Sequence, residues 1–230
     1  MEQIEKNTVS SENQLKESEY VTFINQSGKG KRILFAGNSI TRHGIKPEIG
    51  WYNDFGMAAS SAENDYVHLL VSKFDKIFPD AAYCICQAAL WETKYTEGES
   101  VLFEYENARS FNADIVVMRI IENCMTENFQ SDVFYDEYVK LIKYLNPQDG
   151  KVVLTSGFWK HPGDGIIESV AKDFNYPFAY LGELGEDDGM KATGLFEHSG
   201  VAAHPCDEGM KKIAEIIYDL ITQMQMSPAS

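Results

Sequence analysis

Three polar clusters in this sequence carry side chains able to perform acyl transfer. Gly37-Asn38-Ser39-Ile40-Thr41 presents a serine hydroxyl directly after an apolar run. Glu122-Asn123-Cys124 offers an amide that can donate two hydrogen bonds to a developing oxyanion. His204-Pro205-Cys206-Asp207 offers an imidazole late in the chain. A serine hydroxyl is a weak nucleophile until a base takes its proton. Histidine is the side chain whose unperturbed pKa suits that task near neutral pH. Ser39, Asn123 and His204 are therefore the candidate catalytic residues, as nucleophile, oxyanion donor and general base. Each also has a structural reading: Ser39 as a helix cap, Asn123 as a turn residue, His204 as a loop residue before a helix.

Such residues act together only if rigid elements bring them together. Apolar runs at 32–36 (RILFA), 81–86, 114–120 (DIVVMRI), 151–155 (KVVLT) and 177–181 predict five strands. Helical spacing predicts helices over 64–78, 100–108, 131–145, 165–174 and from Asp207, read as the N-cap, to about Met224. Strand and helix alternate, and the strands are apolar on both faces. That pattern predicts a three-layer α/β/α sandwich around a five-stranded parallel sheet, flavodoxin-like in build. In such sheets functional loops gather beyond the carboxyl ends of the strands, where all three clusters fall. Residues 1–28 form a polar tail, with Tyr20 to Ile24 laid on the body as an edge strand, and 29–230 form one domain.

The balance of 20 Lys+Arg against 35 Asp+Glu gives a net charge of −15, with no basic run. Nucleic-acid phosphate and anionic membrane surfaces are thereby disfavoured as partners. The first twenty residues contain no apolar core of a secretory signal, and no apolar run approaches the length of a membrane helix. The four cysteines, Cys84, Cys86, Cys124 and Cys206, fit no disulfide framework. Reduced thiols and a cytoplasmic location are expected. His198, His204 and Cys206 match no standard zinc spacing, so no metal is expected. His43 reads as a surface-loop residue within reach of substrate, His68 as structural, and His161 as a loop residue.

ILFAGNSIT resembles block I of the SGNH (GDSL-type) hydrolases, in which a buried strand delivers a G-D-S turn. IIENC resembles the G-x-N-D block with Asn123 in the Asn position, and HPCDEGMKKIAEII resembles the closing H-P-x-D-x-G block with His204 as base. The blocks stand in the family's order and span residues 30–224. The resemblance implies a serine esterase that needs no cofactor and acts on a small-molecule ester. The polar, acidic chain favours a soluble substrate such as an O-acetylated sugar over a membrane lipid.

The departures from the pattern set further expectations. Asn38 replaces the G-D-S Asp, and Asn123 alone survives of G-x-N-D. The second block, QAALWET, lacks the family's Gly, so the backbone N–H of Leu90, Trp91 or Glu92 must complete the oxyanion hole. Val201 occupies the position three before the histidine where the family has Asp. A backbone carbonyl, Glu197 or Glu122 must then orient His204. Trp51 and Tyr52, with Asn38, are the candidate substrate contacts, and Trp91 in the oxyanion loop is a further aromatic that could stack on a sugar. Two other readings stay open. One is a catalytically degenerate SGNH-like carbohydrate-binding protein, motivated by Val201. The other is a phosphate or flavin binder using GNSIT as an anion loop, which leaves His204-Pro205 unexplained.

Overall fold

The computed structural model describes residues 15–226. Residues 1–14, half of the expected tail, lie outside the described residues. The sheet has six strands in the order β1-β3-β2-β4-β5-β6. They are β1 Val21–Ile24, β2 Arg32–Gly37, β3 Ala82–Gln87, β4 Ile115–Arg119, β5 Lys151–Thr155 and β6 Phe178–Ala179. β2 to β6 are parallel, as the alternation predicts. The count of five is corrected by β1, drawn from the Tyr20–Ile24 stretch, which lies antiparallel on β3. Its direction follows from the short link to β2. Ile24 pairs with Tyr83 and Arg32 with Ala82, so the chain turns back at the end of the sheet where it left.

Side chains on the parallel strands alternate between two cores, as strand geometry requires. Leu34, Cys84, Cys86, Val116, Met118 and Leu154 face one cluster. It is covered by α2 Ala89–Lys94, α3 Glu106–Ser110, α4 Ser131–Leu145 and α5 Asp164–Phe174. Ile33, Phe35, Ile85, Ile115, Val117 and Val153 face the other, covered by α1 Tyr66–Phe74 and α7 Asp207–Met226. A short α6, Ser199–Ala202, precedes α7. Three layers result, with strands buried on both faces, which is why they read as unbroken apolar runs.

Two helix expectations need correction. Residues 100–108 are not one helix: a 3₁₀ segment, Tyr95–Tyr105, hands over to α3, and Gly98 at φ 78 interrupts its start. Asp207 does not act as the flanking cap. It is the first residue of α7, and its carboxylate accepts from the Ser60 N–H at 2.8 Å and hydroxyl at 2.6 Å. It ties the loop that follows the first cluster to the helix that follows the last.

Trp91 is 1% exposed, with Phe134 and Tyr138 rings 5.8 and 6.0 Å from its own. The expected stacking of Trp91 on a sugar is therefore unavailable, because its ring is spent on the core. Trp91→Ala is expected to lower stability by about 3–5 kcal/mol, read by equilibrium urea denaturation.

Candidate active site

β2 ends at Gly37, level with Gln87 of β3 and Arg119 of β4, so three strand ends converge at the first cluster. A Cβ at Gly37 would meet Thr41 Oγ1 at 1.8 Å, so only glycine fits. The chain then makes one tight turn, with the Thr41 and Arg42 N–H groups donating to Asn38 O at 2.9 and 3.0 Å. The turn carries Ser39 to the rim of the sheet. There the Ser39 hydroxyl lies 2.7 Å from Nε2 of His204.

The other imidazole nitrogen, Nδ1, lies 2.7 Å from the carbonyl oxygen of Gly200 in α6. A carbonyl only accepts, so the proton resides on Nδ1, and Nε2 offers its lone pair to Ser39. Of the orienting groups the sequence left open, the carbonyl occupies this position. Glu197 is exposed and has no described hydrogen bond to His204. Glu122 is spent elsewhere, accepting from Arg119 and the Phe158 N–H through Oε1 and from Asn38 through Oε2. Trp159, in the loop after β5, sets its ring edge-on to the imidazole at 5.2 Å and 83°. Burial pushes the His204 pKa down to about 4, although the Gly200 carbonyl and Glu122 pull the other way. The imidazole is therefore neutral at pH 7.

Behind the dyad lies a buried polar cluster. Arg119, fully buried at the end of β4, donates to Glu122 and to Asn38 Oδ1. The Asn38 amide donates to Glu92 at 2.9 Å and to Glu122 at 2.6 Å. Glu92 also accepts from the Ile121 N–H at 2.6 Å and from the Asn123 amide. Burial, then the neighbouring Glu122, pushes Glu92 up to about 7. Burial also works against Glu122, but Arg119 and the Phe158 N–H outweigh it and hold its carboxyl below the usual range. Asn38 is thus a buried hinge of this cluster and not a substrate contact. The roles of Glu92 and Arg119 were not read from the sequence. The available signal was an arginine in the otherwise apolar run IVVMRI.

The oxyanion candidates also separate. The Trp91 N–H donates to Tyr105 Oη at 3.1 Å and the Glu92 N–H to Ala88 O at 3.2 Å, so neither is available. The Leu90 N–H, like that of Ala89, belongs to the first turn of α2, before any intrahelical acceptor. Neither it nor the Ser39 N–H has an acceptor among the described residues. Asn123 is exposed at the rim. One of its two amide N–H bonds goes to Glu92 and the second is left over.

Of the aromatic candidates, Trp51 is 1% exposed, packed on Phe55 and Phe196 with its indole N–H on His43 O. It fills a core beneath the loop and presents no face to a ligand. Tyr52 is 66% exposed. Alongside the Ser39 turn runs a cleft of about 620 Å³ lined by Tyr20, Arg42, His43, Lys46, Gln87 and Leu90 among others. Arg42 is locked there on Asp54 by two contacts of 2.9 Å. His161, another residue without an assigned task, anchors the loop after Asn123 by donating from Nε2 to Cys124 O at 2.9 Å. No cluster of three metal-ligating side chains occurs among the described residues.

No family model and no curated protein matches the sequence. Solved structures do. The esterase EstA from a Pseudoalteromonas species superposes at TM-score 0.55 and 14% identity, over 86% of this chain and 100% of its own. A lipolytic protein of the G-D-S-L family from Veillonella parvula superposes at TM-score 0.51 and 14% identity, over 84% of this chain and 98% of its own. The chain has the fold of the GDSL-type esterases and lipolytic proteins. A two-domain esterase active on acetylated mannans also superposes, at TM-score 0.54 and 17% identity, over 90% of this chain and 52% of its own. Among the described residues, no helix is long and apolar enough to cross a membrane.

Two outcomes follow from the electrostatics. In the GDSL-type pattern Asn38 would be Asp, but here its amide donates to two buried carboxylates. Asn38→Asp places a third carboxylate against them and is expected to cost about 3–5 kcal/mol by urea denaturation, comparable to breaking a buried ion pair. The His204 ring protons, followed by NMR, are expected to titrate near pH 4. The unfolded imidazole takes up its proton near 6.5, so acidification between those values favours the unfolded chain.

Proposed function

We propose that the chain is a serine esterase that de-acylates a small soluble ester through an acyl-enzyme. The observation that carries this reading is the 2.7 Å contact between Ser39 Oγ and a neutral His204 whose Nδ1 is held on Gly200 O. His204 takes the Ser39 proton as Oγ attacks the ester carbonyl. The Ser39 and Leu90 N–H groups and the Asn123 amide stabilise the resulting oxyanion. His204 then protonates the leaving alcohol. Water, deprotonated by the same imidazole, hydrolyses the acyl-serine.

The cleft lined by Arg42 and His43, just past the Ser39 turn, supports a substrate class. Its lining sets Glu19, Arg42, His43, Lys46, Asp54 and Gln87 beside Tyr20, Ile45 and Leu90, polar groups that can hold a hydroxyl-rich alcohol next to apolar surface. An O-acetylated carbohydrate fits this lining, and an esterase of similar fold is active on acetylated mannans.

The test is labelling of the purified protein with a fluorophosphonate, the adduct being mapped by peptide mass spectrometry. A stoichiometric adduct on Ser39, lost in His204→Ala, is expected. Ser39→Ala is expected to lower kcat/KM toward an acetyl ester by a factor on the order of 10⁴ or more. Absence of an adduct from folded protein, together with specific glycan binding, would move the assignment to a non-catalytic carbohydrate binder.

A further inference from the structure

Glu92 is 0% exposed and contributes no backbone donor to the site, yet its carboxylate receives three N–H groups. They come from the Asn38 turn, from the Ile121 backbone just beyond β4, and from the Asn123 side chain. We propose that Glu92 is a positioning residue, whose carboxylate fixes the rotamer and amide orientation of Asn123 so that the second Asn123 N–H is aimed at the oxyanion. This deepens the esterase reading and rests on it.

The argument is one of donor and acceptor matching. An amide on a flexible side chain at the rim can present either its oxygen or its nitrogen to the reaction centre. An oxyanion needs the nitrogen. Only an acceptor behind Asn123 selects that face, and a carboxylate, which donates nothing when ionised, selects it without ambiguity. Glu92 is itself fixed by the Asn38 amide and the Ile121 N–H, so the selection is built into rigid elements. A glutamine at 92 could still accept from Asn38 and Ile121 through its oxygen. Its own NH₂ would then confront the Asn123 NH₂, and relief comes by turning the Asn123 oxygen inward.

The groups facing Glu92 are Arg119, Glu122 and Cys124 on and after β4, Tyr105 from the 3₁₀ segment and Tyr138 from α4. Arg119 favours the ionised form, whereas burial and Glu122 oppose it. Protonation removes an acceptor site from Glu92 and loosens Asn123. Because burial and Glu122 raise the Glu92 pKa, kcat is expected to fall on acidification ahead of the loss that follows protonation of His204.

The experiment compares wild type, E92Q, N123A and E92Q/N123A in hydrolysis of p-nitrophenyl acetate, with fluorophosphonate labelling of Ser39 in the wild type as a separate readout. N123A is expected to lower kcat about 100-fold, in the range for loss of one oxyanion donor. E92Q is expected to lower kcat about 10-fold or more with KM within about twofold, and to lose the Glu92 inflection on the acid side. The double variant should be no slower than N123A, because Glu92 acts through Asn123. Wild-type kcat in E92Q, or a double variant slower by the product of the two losses, overturns the proposal. An unlabelled, inactive wild type overturns the esterase reading instead. If E92Q does not fold, NMR of the wild-type Asn123 side-chain amide decides. One slowly exchanging, downfield-shifted proton supports the proposal, and two protons exchanging at free-amide rates overturn it.

Discussion

Arg119 is shut away from bulk solvent. It stands at the end of a central strand with a wholly buried side chain, and a lone guanidinium there would cost several kcal/mol or more. Its guanidinium therefore has to be met by Glu122 and by Asn38, and Asn38 by Glu92. These partners come from the turn after β2, from the loop after β4 and from the helix after β3. Satisfying one buried cation thus fixes the relative positions of three strand ends. Those are the ends that carry Ser39, the Leu90 N–H and Asn123. The arrangement of the site follows from charge neutralisation in a dry interior as much as from the apolar packing around it.

His204 reaches the same place by another route. Val201, where a carboxylate would stand in the GDSL-type pattern, is fully buried against Trp51, Met57, Ala58 and Ala192. That apolar anchor holds α6, and the His204 N–H donates back to Val201 O at 3.0 Å. Gly200 O is thereby set against Nδ1. A carbonyl fixes the tautomer as well as a carboxylate does. It lends less to the imidazolium that forms when the serine proton is taken. Glu122 acts on that imidazole only through its field.

The elements legible in the sequence were those with a strong period. Helix α4 spans Ser131–Leu145 as its apolar spacing predicts, and the parallel strands stand where unbroken apolar runs placed them. Ser39 and His204 were legible because each lies at a strand or loop end beside turn or capping residues. The cluster around Arg119 was not. Apart from the local Arg119–Glu122 pair, its bonds link residues 29 to 84 positions apart, and no local pattern encodes such pairings. The aromatic loops misled for a related reason. Trp51 and Trp91 stand in polar surroundings in sequence, but the polar neighbours face solvent while the indoles cover core. Composition shows that a loop contains tryptophan, and only the fold shows which way the ring faces.

The departures from the GDSL-type pattern are best understood as one coupled set. Asn38 in place of Asp removes a negative charge and adds two N–H donors. Those donors allow both Glu92 and Glu122 to approach a single arginine. Glu92 in turn takes the Asn123 amide, so the residue retained from G-x-N-D is held by one of the residues that depart from the pattern. Had Asn38 remained acidic, Glu92 would lose one of its three donors and would face repulsion from two sides. Had Glu92 been apolar, the Asn38 and Ile121 N–H groups would be buried without an acceptor, each costing about 1–3 kcal/mol. Together they satisfy nearly every buried polar atom among the described members of the cluster, the Arg119 Nε being the exception. The guanidinium carbon lies over the Tyr66 ring, 5.9 Å from its centroid, and the π-face offers the cation partial compensation.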